Sequence, residues 1–236
     1  ERGIPFPGAD DNASGVAVLI EVAAKLTRAF TPVRPIVIVA FSGEESGLLG
    51  SKHFVSSPPS ALGDVGFYAM INLDAVGRLE GRKLQVFGSE SAYEWPFMAQ
   101  GIGYTIGVES QLPAQTIASS DHVSFLNNGV PAIHIFSGLH TDYHRVSDSA
   151  AKLDYEGLSG VASWLEEAAM YLGQRSEPLR VTLANAPVVV APLGSEERGA
   201  SLGTVPDFAY VGAGVRITGV TPDSAADAVG LRQNDI

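Results

Sequence analysis

This sequence predicts an α/β domain built on a mostly parallel or mixed sheet, with helices covering both faces. Three observations carry that expectation. A continuous β-branched run, Ile36-Val37-Ile38-Val39-Ala40-Phe41, lies between Pro35 and Ser42-Gly43, as expected of a strand buried on both faces. Two similar runs, Phe67 to Leu73 and Pro131 to Phe136, and a shorter one, Leu84 to Phe87, follow it and alternate with helical patterns. The composition, 45% hydrophobic against 17% charged with 26 Gly and 14 Pro, suits a compact, loop-rich chain rather than a disordered or coiled one.

In chain order, the loop-like start Glu1-Arg2-Gly3-Ile4-Pro5 gives way to a helix over Ala13 to Phe30. Its apolar residues Val16, Leu19, Ile20, Ala23, Ala24 and Leu26 recur at helical spacing, and Asp10-Asp11-Asn12 sits where an N-cap belongs. The strand ending at Phe41 leads into Glu44-Glu45 and a helix carrying His53, a surface position. A second amphipathic helix, Asp154 to Leu172, places Leu158, Val161, Leu165, Ala168, Ala169 and Leu172 on one face and closes the first domain. Beyond it a Pro- and Gly-punctuated stretch reaches a strand over Gly214 to Val220 and the turn Thr221-Pro222-Asp223-Ser224. The expected division is a domain over 1–173, a linker over 174–195 and a smaller unit over 196–236.

A formal charge of −11 argues against nucleic acid or an anionic membrane as the main partner, because both require clustered Lys and Arg. The apolar runs are too short to span a bilayer. With no cysteine there is no thiolate ligand, so a metal would be held by His and carboxylate.

Four segments place acidic or imidazole groups where strands end or helices begin, the positions that face a shared crevice in such folds. Gly8-Ala9-Asp10-Asp11-Asn12-Ala13-Ser14-Gly15 sets carboxylates before a helix N-terminus, which alone also fits a simple cap. Glu44 and Glu45 follow the most hydrophobic strand. Adjacent side chains there point apart, so one carboxylate can bind a metal while the other handles a proton of water. Asn72-Leu73-Asp74 ends the next strand. Gly138-Leu139-His140-Thr141-Asp142-Tyr143-His144-Arg145-Val146-Ser147-Asp148 gathers two His, a Tyr and two Asp after a third, a mix of donors that suits zinc. Of the remaining histidines, His134 reads as a core side chain, and His122, in Ser120-Asp121-His122, as a group that orients substrate or supports a ligand from behind.

Together these segments resemble the two-zinc aminopeptidases of metallopeptidase family 28 over roughly residues 7 to 172. In that family a Gly-x-x-Asp-Asn-x-Ser-Gly segment supplies the aspartate bridging both metals, which the resemblance assigns to Asp11. It likewise implies Glu44 as general base, Glu45, Asp74 and His144 as ligands, and Tyr143 with Asp148 in the Tyr-His-x-x-x-Asp pattern. The implied fold is a three-layer sandwich around the central sheet. The pattern departs at one point: the family has a further His ligand, in a His-x-Asp pattern upstream of the bridging Asp, and none of the ten residues before Asp11 is His. That ligand is expected to lie upstream. The stretch from Ser201 onward, with Gly214 to Val220 and Ser224 to Leu231, resembles the opening part of a bacterial PDZ domain and stops at Asn234-Asp235-Ile236.

The resemblance implies a zinc-dependent aminopeptidase with two Zn2+ per complete catalytic domain, peptide substrates with a free N-terminus, and a periplasmic or extracellular location. Glu44 would take a proton from water, and Tyr143 would donate to the tetrahedral oxyanion. A single-zinc glutaminyl cyclase and a non-enzymatic ectodomain on the same fold are the rival expectations.

Overall fold

The computed structural model describes residues 4–63, 66–113, 120–183, 202–207, 210 and 212–236. The expected linker beyond residue 183 and the start of the PDZ-like stretch lie outside the described residues.

The four-stranded sheet has the order β1-β4-β2-β3, with β1 Met70–Leu73, β2 Leu84–Phe87, β3 Ser110–Gln111 and β4 Ala132–Phe136. Strands β1 and β4 run parallel, with Met70 opposite Ala132 and Leu73 opposite Ile135. Strand β2 is antiparallel to β4 and parallel to β3, so the sheet is mixed. Every residue of β4 is buried, which is why its run is apolar but for His134.

Successive β4 side chains enter opposite layers. Ile133 and Ile135 join Val18, Val22 and Leu26 of α1 (Gly15–Ala29), Trp95, Met98 and Ile102 of α3 (Glu94–Ile106), and Val161, Trp164 and Leu165 of α5 (Tyr155–Gln174). Ala132 packs with Phe125 and Leu126 of α4 (His122–Leu126), and Phe41, Phe54 and Phe67 extend that layer together with α2 (Leu49–Ser56). Helices therefore cover both faces. Helix α5 starts where the sequence predicts, because the Asp154 carboxylate accepts from the Gly157 amide at its N-terminus.

Two expectations are corrected. The run 36–41 forms no ladder among the described residues, and Ile36, Val37 and Ile38 are 37, 47 and 44% exposed rather than buried. Together with residues 66–73 it lines an apolar cleft of about 980 Å³. Composition reports that such a segment prefers an extended backbone, but a strand exists only through hydrogen bonds to a neighbour distant in sequence. The N-cap is also displaced. Helix α1 begins at Gly15 with Ser14 as cap residue, after a wide turn over Ala9–Ser14, and Asn12 Oδ1 reaches forward to accept from Gly15 N at 3.1 Å.

Near the end of the chain β5 (Thr204–Pro206) pairs antiparallel with β6 (Ile217–Val220) in a separate two-stranded sheet, and Ser224 caps the short helix α6 (Ala225–Ala228). The expected strand over Gly214 to Val220 is thus shorter at its start. No helix of the described residues is long and apolar enough to cross a membrane.

Candidate metal centre

Three loops converge at one end of the sheet. The turn before α1 brings Asp11, the segment before α2 brings Glu44 and Glu45, and the loop after β4 brings Tyr143 and His144. His144 Nε2 lies 3.0 Å from Asp11 Oδ2 and 2.8 Å from Glu45 Oε1. The three donor atoms fall within 4.8 Å of one another, the one such set among the described residues. Two carboxylate oxygens and one imidazole nitrogen suit zinc, and three protein donors are what a firmly held catalytic zinc requires.

Asp74, directly after β1, lines the same cleft as Asp11 and Glu45 but does not belong to that set. Its Oδ2 accepts from Ser120 Oγ at 2.8 Å, and Ser120 Oγ in turn accepts from Asn72 Nδ2 at 2.7 Å. Asn72 Nδ2 also lies 3.1 Å from His134 Nδ1. His134 is buried and stacks on His122 with ring centroids 4.9 Å apart. His53 is exposed on α2, as expected.

The electrostatics follow from crowding of like charge. Burial, then the carboxylates of Asp74, Glu45, Asp121 and Asp11, push Glu44 up to about 8. Burial and the neighbouring Asp11 raise Asp74 to about 7, against the opposing hydrogen bond from Ser120. Glu45 moves the other way because His144 donates to it. His144 is raised to about 10 by its hydrogen bonds to Asp11 and Glu45. The Tyr143 phenol is pushed well above its ordinary value by burial and by four surrounding carboxylates, so it keeps its proton and remains a donor. Its ring stacks on His144 at 3.9 Å between centroids, which fixes the phenol beside the donor set. One imidazole against five carboxylates is a charge imbalance that a divalent cation would relieve.

The local sequence explains how Asp11 is aimed. Gly8 adopts φ 57°, the left-handed region, and a Cβ there would lie 2.7 Å from the Asp11 carbonyl oxygen. Asn12 Nδ2 donates to Leu73 O at 2.8 Å, tying the turn to the end of β1. Asp148 Oδ2 accepts from the amides of Asp10 and Asp11 at 2.9 and 3.2 Å. The sequence shows the acidic types at these positions, but residue order does not disclose the gripping role of Asp148, the burial of Asp10, or Asp121 as a further carboxylate facing Glu44 and Asp74.

Comparison with known proteins places these features. The model of peptidase family M28 matches residues 3–198. Aminopeptidase YwaD of Bacillus subtilis is 31% identical over 188 residues, covering 74% of this chain and 40% of that protein. Leupeptin-inactivating enzyme 1 of Streptomyces exfoliatus is 31% identical over 156 residues, covering 66% of this chain and 34% of that protein. The chain thus spans about a third to two fifths of the length of these curated relatives. Among solved structures, BSAP, a zinc aminopeptidase from Bacillus subtilis, superposes with a TM-score of 0.63 at 26% identity, covering 76% of this chain and 47% of that one. LapA of Legionella, at 24% identity and a TM-score of 0.64 over 72% of this chain and 49% of that one, shares the fold.

Proposed function

The chain belongs to peptidase family M28, and from that premise we propose that it hydrolyses N-terminal peptide bonds as a zinc-dependent aminopeptidase. The convergence of Asp11, Glu45 and His144 beside Glu44 is the observation that carries this reading. When bound, zinc supplies Lewis acidity toward the scissile carbonyl and acidifies a water molecule.

In this reading Glu45, His144 and Asp11 would hold zinc, and Asp74 with Asp11 would contribute to holding a second ion. Glu44 takes a proton from water and returns it to the departing amine. Its proton affinity, raised by burial and neighbouring carboxylates, approaches the working pH that a general base requires once cation charge offsets those neighbours. Tyr143, protonated throughout the working range, donates to the oxyanion that develops on the carbonyl oxygen. The surplus of carboxylates favours a substrate bearing a free α-ammonium group, and so the chain's end over its middle.

The unit over 196–236 is proposed as PDZ-like, a reading supported by the pairing of β5 with β6 and by α6 after it. A periplasmic or extracellular location belongs to the same proposal and rests on the family resemblance alone.

The test separates base from ligand. In the full-length enzyme, Glu44→Gln should lower kcat on aminoacyl-nitroanilides at least about a hundredfold with zinc content kept, whereas Glu45→Gln should lose zinc as well. Equal zinc loss in both variants would reverse the assignment.

A further inference from the structure

Behind the donor set lies a second, buried cluster that the proposed chemistry does not use. Asp10 and Asp11 are neighbours in sequence, yet their side chains diverge. Asp11 faces His144, whereas Asp10 is fully buried. Asp10 Oδ1 accepts from the Gly77 amide at 2.6 Å, and Oδ2 lies 2.9 Å from Nε2 of His140, whose side chain is only 10% exposed. A carboxylate oxygen withdrawn from water costs free energy unless a donor meets it. For Oδ2, His140 is that donor.

The origin of the two partners gives the contact a consequence. Asp10 belongs to the turn that aims Asp11, and His140 belongs to the loop after β4 that also carries Tyr143 and His144. Asp148, near the end of the same loop, holds the Asp10 and Asp11 amides. The His140 contact is thus a side-chain tie between the segment presenting Asp11 and the segment presenting His144, four residues away from it. We propose that His140 is a positioning residue: by donating from Nε2 to Asp10 Oδ2 it sets the spacing between Asp11 and His144, and it is not itself a metal ligand. Contacts that orient ligands from behind typically change metal affinity ten- to a hundredfold. This inference rests on the reading of Asp11 and His144 as ligands.

The experiment measures zinc affinity of the 236-residue chain by competition with a chelator, alongside its zinc-free melting temperature, for three variants. His140→Leu removes the donor and should weaken zinc about ten- to a hundredfold. His140→Gln, whose side-chain amide donates from nearly the same place as Nε2, should recover affinity to within about threefold of the parent. His144→Ala should weaken zinc more than either. An unchanged affinity in His140→Leu, or a Gln variant as weak as the Leu variant, overturns the proposal. Loss of a zinc equivalent rather than of affinity would make His140 a ligand, and overturns it too. If His144→Ala binds zinc normally, the ligand assignment itself fails, a result distinguishable from failure at His140 alone. Should His140→Leu not fold, His140→Asn replaces it, because its amide is polar but too short to reach Asp10, and it should show the same weakening.

Discussion

If His144 is a zinc ligand, as proposed, zinc must displace its proton, and the pH dependence of zinc affinity follows from that. In the metal-free chain His144 Nε2 is held between Asp11 and Glu45 and its proton is retained up to about pH 10, while Glu45 is ionised below its ordinary range. Between about pH 6 and 8 the donor set therefore releases one proton, from His144, for each zinc bound. One proton per zinc means that affinity rises about tenfold per pH unit, or about 1.4 kcal/mol, and about a hundredfold across that interval. His144 is 48% exposed, so solvent screening draws its proton affinity back toward 6.5, and the tenfold-per-unit slope holds only at pH values below the affinity that results. The sign for stability is the reverse. A raised imidazole contributes to the zinc-free fold fully below its unfolded value of 6.5, and that contribution is lost as pH rises through the folded value of about 10. Calorimetry in buffers of different ionisation enthalpy counts the proton directly, and chelator competition at several pH values measures the slope. An affinity that is flat between pH 6 and 8 would refute the assignment of His144 as a ligand that must first give up a proton.

Three further outcomes are expected. Tyr143→Phe in the full-length enzyme should lower kcat by roughly ten- to a thousandfold with little change in KM, because in the proposed role the phenol acts on charge that exists mainly in the transition state; a pure KM effect in steady-state kinetics would make it a substrate-binding residue. Gly77→Ala should destabilise the fold by about 1–3 kcal/mol in denaturant titrations, since a Cβ there would meet Leu153 at 2.8 Å and Asp10 Oδ1 at 2.9 Å; an unchanged midpoint would show that the turn yields freely. Residues 1–236 should bind about one zinc tightly by metal analysis after dialysis, because among the described residues only Asp11, Glu45 and His144 converge, and Asp74 with the shared Asp11 offers too few donors for a second. Two tightly held zincs would require another ligand.

Much of the chemistry is local in origin and therefore legible in residue order. Apolar runs that end in Asp74 or precede the loop of His144 mark strand termini, where a fold of this class places its site. The periodicity of α1 and α5 is equally direct. Helix α3 shows the limit of such reading: Trp95, Met98, Ala99 and Ile102 have helical spacing, but Pro96, Gly101 and Gly103 interrupt it. Pro is tolerated in a first turn, whose amides lack intrahelical partners, and burial against α5 offsets the glycines.

What the sequence alone determined about this protein is the inventory: a mixed α/β architecture, zinc-suited donor types without thiolate, and four segments placed at element ends. Tertiary structure decided which member of each pair faces inward. Asp10 and Asp11 are equivalent in type and adjacent in position, and the choice between them is made by Asp148, 138 and 137 residues away, which grips both amides, and by Gly77 and His140, which take the Asp10 carboxylate into the interior. The same holds for the run 36–41, whose extended preference is local but whose pairing is not. Hydrogen bonds between segments distant in the chain set side-chain direction and strand partnership, and residue order contains no term for either.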